Sequence, residues 1–297
     1  MSKQDLSWAL PVMRAGYAGR GIVYVVVAGV SLWSILMGGG EAGGPSETFG
    51  TLNQSAFGVF ILALIALGML AYAVWRVVDG TYDLEEYGDD AKGLIARAGM
   101  FVTGTLHLFI GFVALVTIFK GGSGGGEGSG GGSGGGSGVS DAVGKVLGWP
   151  GGQVLVGLAG LATIGAGIYY LHKAYKRKYR EKLMGNHFTR NWDPALRAGV
   201  AAQGVIVLLI GGFILYAAIT HNPDQAGGIG EAFAWLHEQA YGRILVILVC
   251  LGLLGFALFC FVNAVYRIVP RLAGDDLTTL ATRMKNKAES TARSATS

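Results

Sequence analysis

Six runs of the chain, 15–37, 57–78, 98–119, 153–170, 198–220 and 243–269, are each apolar over the ~17–25 residues an α-helix needs to cross a bilayer. No run carries a charged residue near its centre. Only 14% of the residues are charged and 52% are apolar, where a soluble domain carries roughly 25% charged residues. This balance excludes a conventional soluble enzyme and a disordered chain, which needs high charge and low hydrophobicity. The expected fold class is an all-α integral membrane protein with six transmembrane helices. The first run lacks a small-residue cleavage motif, so it reads as an uncleaved signal anchor.

Basic residues set the orientation. In the three odd loops and their flanks the only ones are Lys120, Lys145 and Arg243; the rest lie in the amino-terminal region, the even loops and the tail. Both termini are therefore expected on the cytoplasmic side. The densest basic run, Lys173, Lys176, Arg177, Lys178, Arg180 and Lys182, is expected to bind anionic lipid head groups there.

The spans are not independent. Runs one, three and five open with Arg14-Ala15-Gly16, Arg97-Ala98-Gly99 and Arg197-Ala198-Gly199. A glycine follows five residues on (Gly21, Gly104, Gly204), and a small residue seven after that (Ala28, Gly111, Gly211). Seven residues are two helical turns, so small residues line a face of each span and permit close helix approach. The even spans also match: Leu67-Gly68-Met69-Leu70-Ala71-Tyr72-Ala73 parallels Leu251-Gly252-Leu253-Leu254-Gly255-Phe256-Ala257. The middle copy, Ile164-Gly165-Ala166-Gly167-Ile168-Tyr169, fits less closely. Short amphipathic stretches at 48–56, 141–147 and 230–240 read as outer interfacial helices.

The organisation expected is a tail (1–13), three two-span repeats (14–92, 93–192 with a flexible Gly/Ser outer loop at 121–138, and 193–272) and a second tail (273–297). Two spans per unit make the three copies parallel, which favours a pseudo-threefold bundle over an inverted-repeat transporter. In the tail, Leu277, Leu280, Met284 and Ala288 have helical spacing.

The stretch Arg14-Ala-Gly-Tyr-Ala-Gly-Arg-Gly21, the glycine-rich loop and Leu67-Gly-Met-Leu-Ala-Tyr-Ala-Val-Trp-Arg76 resemble the bacterial domain of unknown function 1206 family. The resemblance covers about residues 14–268. It implies three tandem two-span units in the bacterial inner membrane, and it supplies no catalytic residues. Units two and three depart from it, with His172-Lys173 and Phe259-Cys260 where unit one has Trp75-Arg76.

Within the spans, Arg20, Thr103 and Gln203 occupy one repeat position, and His107 lies one turn beyond Thr103. Ionisable groups inside a membrane are functional hypotheses by default, so these four form a candidate intramembrane polar layer. Arg20 can instead snorkel to the interface, Thr103 can satisfy its own helix, and His107 can be a neutral, hydrogen-bonded core residue. Asp79, Asp83, Glu85, Glu86, Asp89 and Asp90 lack calcium-loop spacing; they read as a solvated loop or as partners of the basic run. Cys250 and Cys260, ten residues apart on one helix, cannot bond to each other. Tyr72, Tyr169, Trp75 and Trp149 read as packing residues or interfacial anchors.

No catalytic residue, metal site or cofactor is assigned, and a nucleic-acid partner is not expected, for want of basic surface with stacking aromatics. Three functions are compatible with the sequence. The first is a channel or permease for a small solute or ion. The second is a non-enzymatic scaffold or accessory subunit that binds a membrane protein or a second copy. The third is a haem- or quinone-binding redox protein using His107, with His172 as a candidate second residue.

Overall fold

The computed structural model describes residues 6–38, 42–121, 137–272, 279 and 282. Its six long helices are α1 (Ala9–Trp33), α3 (Ala56–Tyr82), α4 (Ala91–Gly121), α6 (Gly152–Tyr175), α8 (Asp193–Thr220) and α10 (Gly242–Tyr266). All six are long and apolar enough to cross a membrane. Three short helices precede the even spans: α2 (Pro45–Leu52), α5 (Ser137–Leu147) and α9 (Ile229–His237). A further one, α7 (His187–Asn191), leads into α8. The helical tail expected after residue 275 and most of the 121–138 loop lie outside the described residues.

Local chemistry sets the helix ends. Ser55 caps α3 by accepting the Gly58 N–H at 3.0 Å. The Glu47 carboxylate accepts the Gly44 N–H before α2 at 3.2 Å, and Glu231 does the same for Gly228 before α9 at 2.7 Å. The arginines that open the repeats act at the other end. Arg97 donates to the Gly80 carbonyl at 2.8 Å, and Arg197 to that of Ala174 at 3.1 Å, so each caps the last turn of the preceding span.

The spans pack in chain order, α1 on α3, α3 on α4, α6 on α8, α8 on α10, and α10 back on α1. Among the described residues α4 and α6 do not pack along each other. The contacts run in the order α4, α3, α1, α10, α8, α6, so the one contact that a closed ring of spans would add, α4 on α6, is missing, and this seam falls within the middle repeat. The short helices reach further in than interfacial helices would. Phe49 of α2 and Phe233 of α9 are wholly buried, and α2 packs on α1, α3 and α4.

Close approach of backbones holds the ring together. A Cβ on Gly19 would lie 2.5 Å from the Cα of Gly68, and one on Gly16 2.5 Å from the Cα of Tyr72, so α1 and α3 touch backbone to backbone. Gly21 meets the Phe261 ring of α10, Gly104 meets Arg76 and Gly111 meets Met69 of α3. Gly199 meets Gly255 of α10, Gly204 meets Leu171 and Gly211 meets Ile164 of α6. Gly99 is the correction to the expected set: a Cβ there meets nothing within 4 Å. Glycines five apart lie about 140° apart around a helix. In α1 and α8 the first glycine therefore faces the partner span of its own repeat, and the second faces the preceding repeat. By the same register the partner of Gly99 would be α6, a contact not made among the described residues.

Candidate functional site

Arg20 is buried in the middle of α1, 6% exposed. Its Nη1 donates to the Tyr72 hydroxyl at 3.1 Å, and Nε of Arg76 donates to the same oxygen at 3.0 Å. One phenol of α3 thus joins two guanidinium groups. The Arg20 guanidinium also lies 5.0, 5.3 and 5.8 Å from the ring centres of Phe256, Tyr72 and Tyr24. Such cation–π contacts, desolvated, contribute up to about 2 kcal/mol each. Its Nε has no hydrogen-bond partner, and Arg20 forms no ion pair among the described residues.

His107 of α4 packs at 4.6 Å from the Tyr72 ring. Its Nδ1 lies 2.7 Å from the Thr103 carbonyl oxygen, which assigns the proton to that nitrogen. Arg20, Tyr24, Met69 and His107 share a cavity of about 30 Å³, lined also by Pro45 of α2 and Ile229 of α9. It has room for one or two waters or a small ion. Sites for organic ligands occupy roughly 300–1,000 Å³, so neither a haem nor a quinone fits there.

The expected four-residue layer is only half assembled. Arg20 and His107 meet through Tyr72 and the cavity. Thr103 turns back on its own helix, its hydroxyl donating to the carbonyls of Gly99 and Met100 at 2.8 and 3.0 Å. Gln203 is buried on α8, outside the cavity lining, and its amide oxygen has no hydrogen-bond partner.

At the face carrying the chain ends, all three repeats converge on Glu85, whose side chain is fully buried. Arg267 forks onto both carboxylate oxygens at 2.6–2.8 Å, Lys182 approaches at 2.6 Å and the Tyr87 hydroxyl donates at 3.0 Å. Burial pushes the Glu85 carboxyl up, but Arg267 and then Lys182 outweigh it and hold the group well below the usual carboxylate range. Burial and the Glu85 charge together raise Tyr87. Lys182 shifts the opposite way to what its pairing suggests: burial lowers it by more than Glu85 raises it. The bidentate Arg267, held above its ordinary value by Glu85 against its own burial, is the firmer counter-charge. Neighbouring Asp79 is buried and accepts the Glu85 N–H at 3.1 Å.

The structure divides the basic run after α6. Lys176, Arg177 and Lys178 are exposed. Arg180 binds Asp193, Lys182 binds Glu85, and Lys173 lies 5.7 Å from the Phe259 ring centre inside the bundle. Half of the run is therefore structural. Tyr72, Arg76, Glu85 and Arg267 are the members that sequence reasoning did not place in a site. The acidic loop does pair with the basic run, through a buried carboxylate.

The family profile described as Domain of Unknown Function (DUF1206) matches residues 15–83, 98–177 and 198–267, one match in each repeat. A relative named "Uncharacterized protein YxxB" from Bacillus subtilis (strain 168) is 28% identical over 271 residues, covering 90% of this chain and 94% of its own. No solved structure matches the chain. With three successive matches spanning most of its length, on six spans arranged as three two-helix units, the chain belongs to the DUF1206 family of membrane proteins.

Proposed function

We propose that the protein is a non-enzymatic, permease-like protein of the bacterial inner membrane, with both termini cytoplasmic, that conducts a small polar solute or ion. The observation that carries this reading is the buried Arg20. It is a guanidinium in mid-span, beside a cavity, with an unpartnered Nε and no carboxylate counter-charge among the described residues. An uncompensated charge in a membrane interior is costly and is retained where it serves a ligand pathway. A solute with hydrogen-bond acceptors or negative charge satisfies it. Pro45 and Ile229 complete the cavity lining, and the Glu85 cluster ties the three repeats together at the face carrying the chain ends. The exposed Lys176, Arg177 and Lys178 suit contact with anionic lipid head groups.

The test is flux through liposomes holding the purified protein, with a panel of monovalent anions, cations and small neutral solutes. Flux of an acceptor-bearing solute is expected, reduced at least tenfold by Arg20→Leu and altered by His107→Leu. No flux across the panel would remove this reading. The alternative of an accessory subunit is favoured by a separate observation, the wide apolar faces that α4 and α6 leave uncovered at the seam. Co-purification of one defined membrane partner, together with absent flux, would support it.

A further inference from the structure

The seam between α4 and α6 lies where the repeat pattern places a helix contact, and the residues of that contact are present. The repeat register aligns Gly16, Gly99 and Gly199, and one turn later Gly19, Val102 and Ala202. On the even spans it aligns Gly68, Gly165 and Gly252, and further on Tyr72, Tyr169 and Phe256. In repeat one Gly19 abuts Gly68 and Gly16 abuts Tyr72. In repeat three Ala202 abuts Gly252 and Gly199 abuts the backbone at Gly255 and Phe256. The same contact is thus made twice, in the same register.

In repeat two it is open at all four positions. Neither Gly99 nor Gly165 has anything within 4 Å of a Cβ. Val102 is 61% exposed. Tyr169 is 54% exposed, whereas Tyr72 and Phe256 are fully buried. The outer helix is less displaced: α2 packs on both spans of its own repeat, while α5 packs on α6 and α8 and meets α4 only at its start, where Gly138 lies against the Phe109 ring.

From these matched positions we infer that the ring has a second, closed state, in which α4 and α6 of one chain meet through Gly99 with Tyr169 and Val102 with Gly165. The present structure is the state with the seam open to the bilayer. Closure completes the sixth helix contact of the ring with the geometry its two sister contacts already use. The seam then acts as a lateral gate, whether or not a solute crosses the protein.

The test is disulfide trapping in native membranes with copper phenanthroline, followed by mass mapping of linked peptides. The pair Val102→Cys with Gly165→Cys is introduced where side chains have open space. The pair Gly99→Cys with Tyr169→Cys serves as a second, independent probe. Val102→Cys with Leu158→Cys is the register control, two turns away on α6. Expected is a link within one chain, with loss of both introduced thiols, for the first two pairs, and at least tenfold less linkage for the control. Absence of a link in both pairs would overturn the inference. So would equal linkage in the control, which indicates unspecific motion, or links formed only between chains, which assign the open face to a second copy. None of these outcomes depends on flux, so the gate and the permease reading fail separately.

Discussion

Glu85 illustrates how little of a residue's role its neighbours in sequence disclose. Six acidic residues between 79 and 90 read as a solvated loop or as partners of the basic run; Asp79, Asp83 and Glu85 are buried, and Glu85 accepts from donors of all three repeats. Which carboxylate pairs, and with which partner, is legible only in three dimensions, because Lys182 and Arg267 are distant in the chain. Removing one partner of a buried pair leaves an uncompensated charge and costs about 3–5 kcal/mol. Glu85→Ala is therefore expected to lower the thermal midpoint clearly in detergent, while Glu86→Ala, on an exposed turn, changes it little. The pH dependence has a definite sign. A carboxyl held below its unfolded value of about 4.3 contributes stability that is fully present above that pH and is lost as pH falls through the depressed folded value. The midpoint of wild-type protein should thus decline below about pH 4, and that decline should be smaller in Glu85→Gln. Tyr72 was read as a packing aromatic; its phenol oxygen instead accepts from Arg20 and Arg76. Tyr72→Phe keeps the ring and removes both bonds, with an expected loss of about 1.5–3 kcal/mol for hydrogen bonds to charged groups. By contrast Arg20 and His107 were legible, since a polar residue inside an apolar run is conspicuous in one dimension.

Among the helices, the spans and their repeat could be read because hydropathy and small-residue spacing are local properties of the chain. The partner of each small face could not, since a stripe of glycine and alanine specifies close approach but not to which neighbour. Hence the packing glycines Gly16, Gly21, Gly104, Gly111, Gly199, Gly204 and Gly211 all meet another span, and Gly99 alone does not. The offset of five between the first two glycines held more than was read from it, because it points them at two different neighbours. A sharp contrast follows. Gly19→Leu forces α1 and α3 apart, since even a Cβ there would lie 2.5 Å from the Cα of Gly68, and is expected to abolish a monodisperse species in size-exclusion chromatography. The identical change at Gly165, the open counterpart of the Gly68 that Gly19 meets, is expected to leave monodispersity and thermal midpoint near wild type. Equal damage from both would show that α4 and α6 are packed together in the resting protein. The short helices were placed within a few residues from amphipathic spacing alone. Their depth was not legible, because burial of Phe49 and Phe233 depends on the bundle closing beneath them.

For the whole molecule, the ring order makes an unusual division of labour. The middle repeat is continuous in sequence but split in space: α4 packs on repeat one and α6 on repeat three. The molecule is better described as two three-helix groups, α1–α3–α4 and α6–α8–α10, joined where α1 meets α10. The joint is apolar along the spans, with Tyr24 against Phe256 at 4.9 Å between ring centres and Gly21 under the Phe261 ring. It is polar at both ends, where Arg267 and Lys182 grip Glu85 and Arg243 donates to the Ile35 carbonyl at 2.8 Å. None of these contacts requires the α4–α6 connection to be intact. A chain divided within residues 122–136, its two parts co-expressed with different tags, should therefore assemble in the membrane and co-purify at near-equal ratio. Division within 83–90 should fail, because it severs the loop that presents Glu85 to Lys182 and Arg267. Adding Glu85→Ala to the chain divided at 122–136 should lower recovery of the second part severalfold, since the covalent link no longer compensates for the lost grip. Separation of the two parts without that mutation would mean that the connection, and not the α1–α10 joint, holds the ring together.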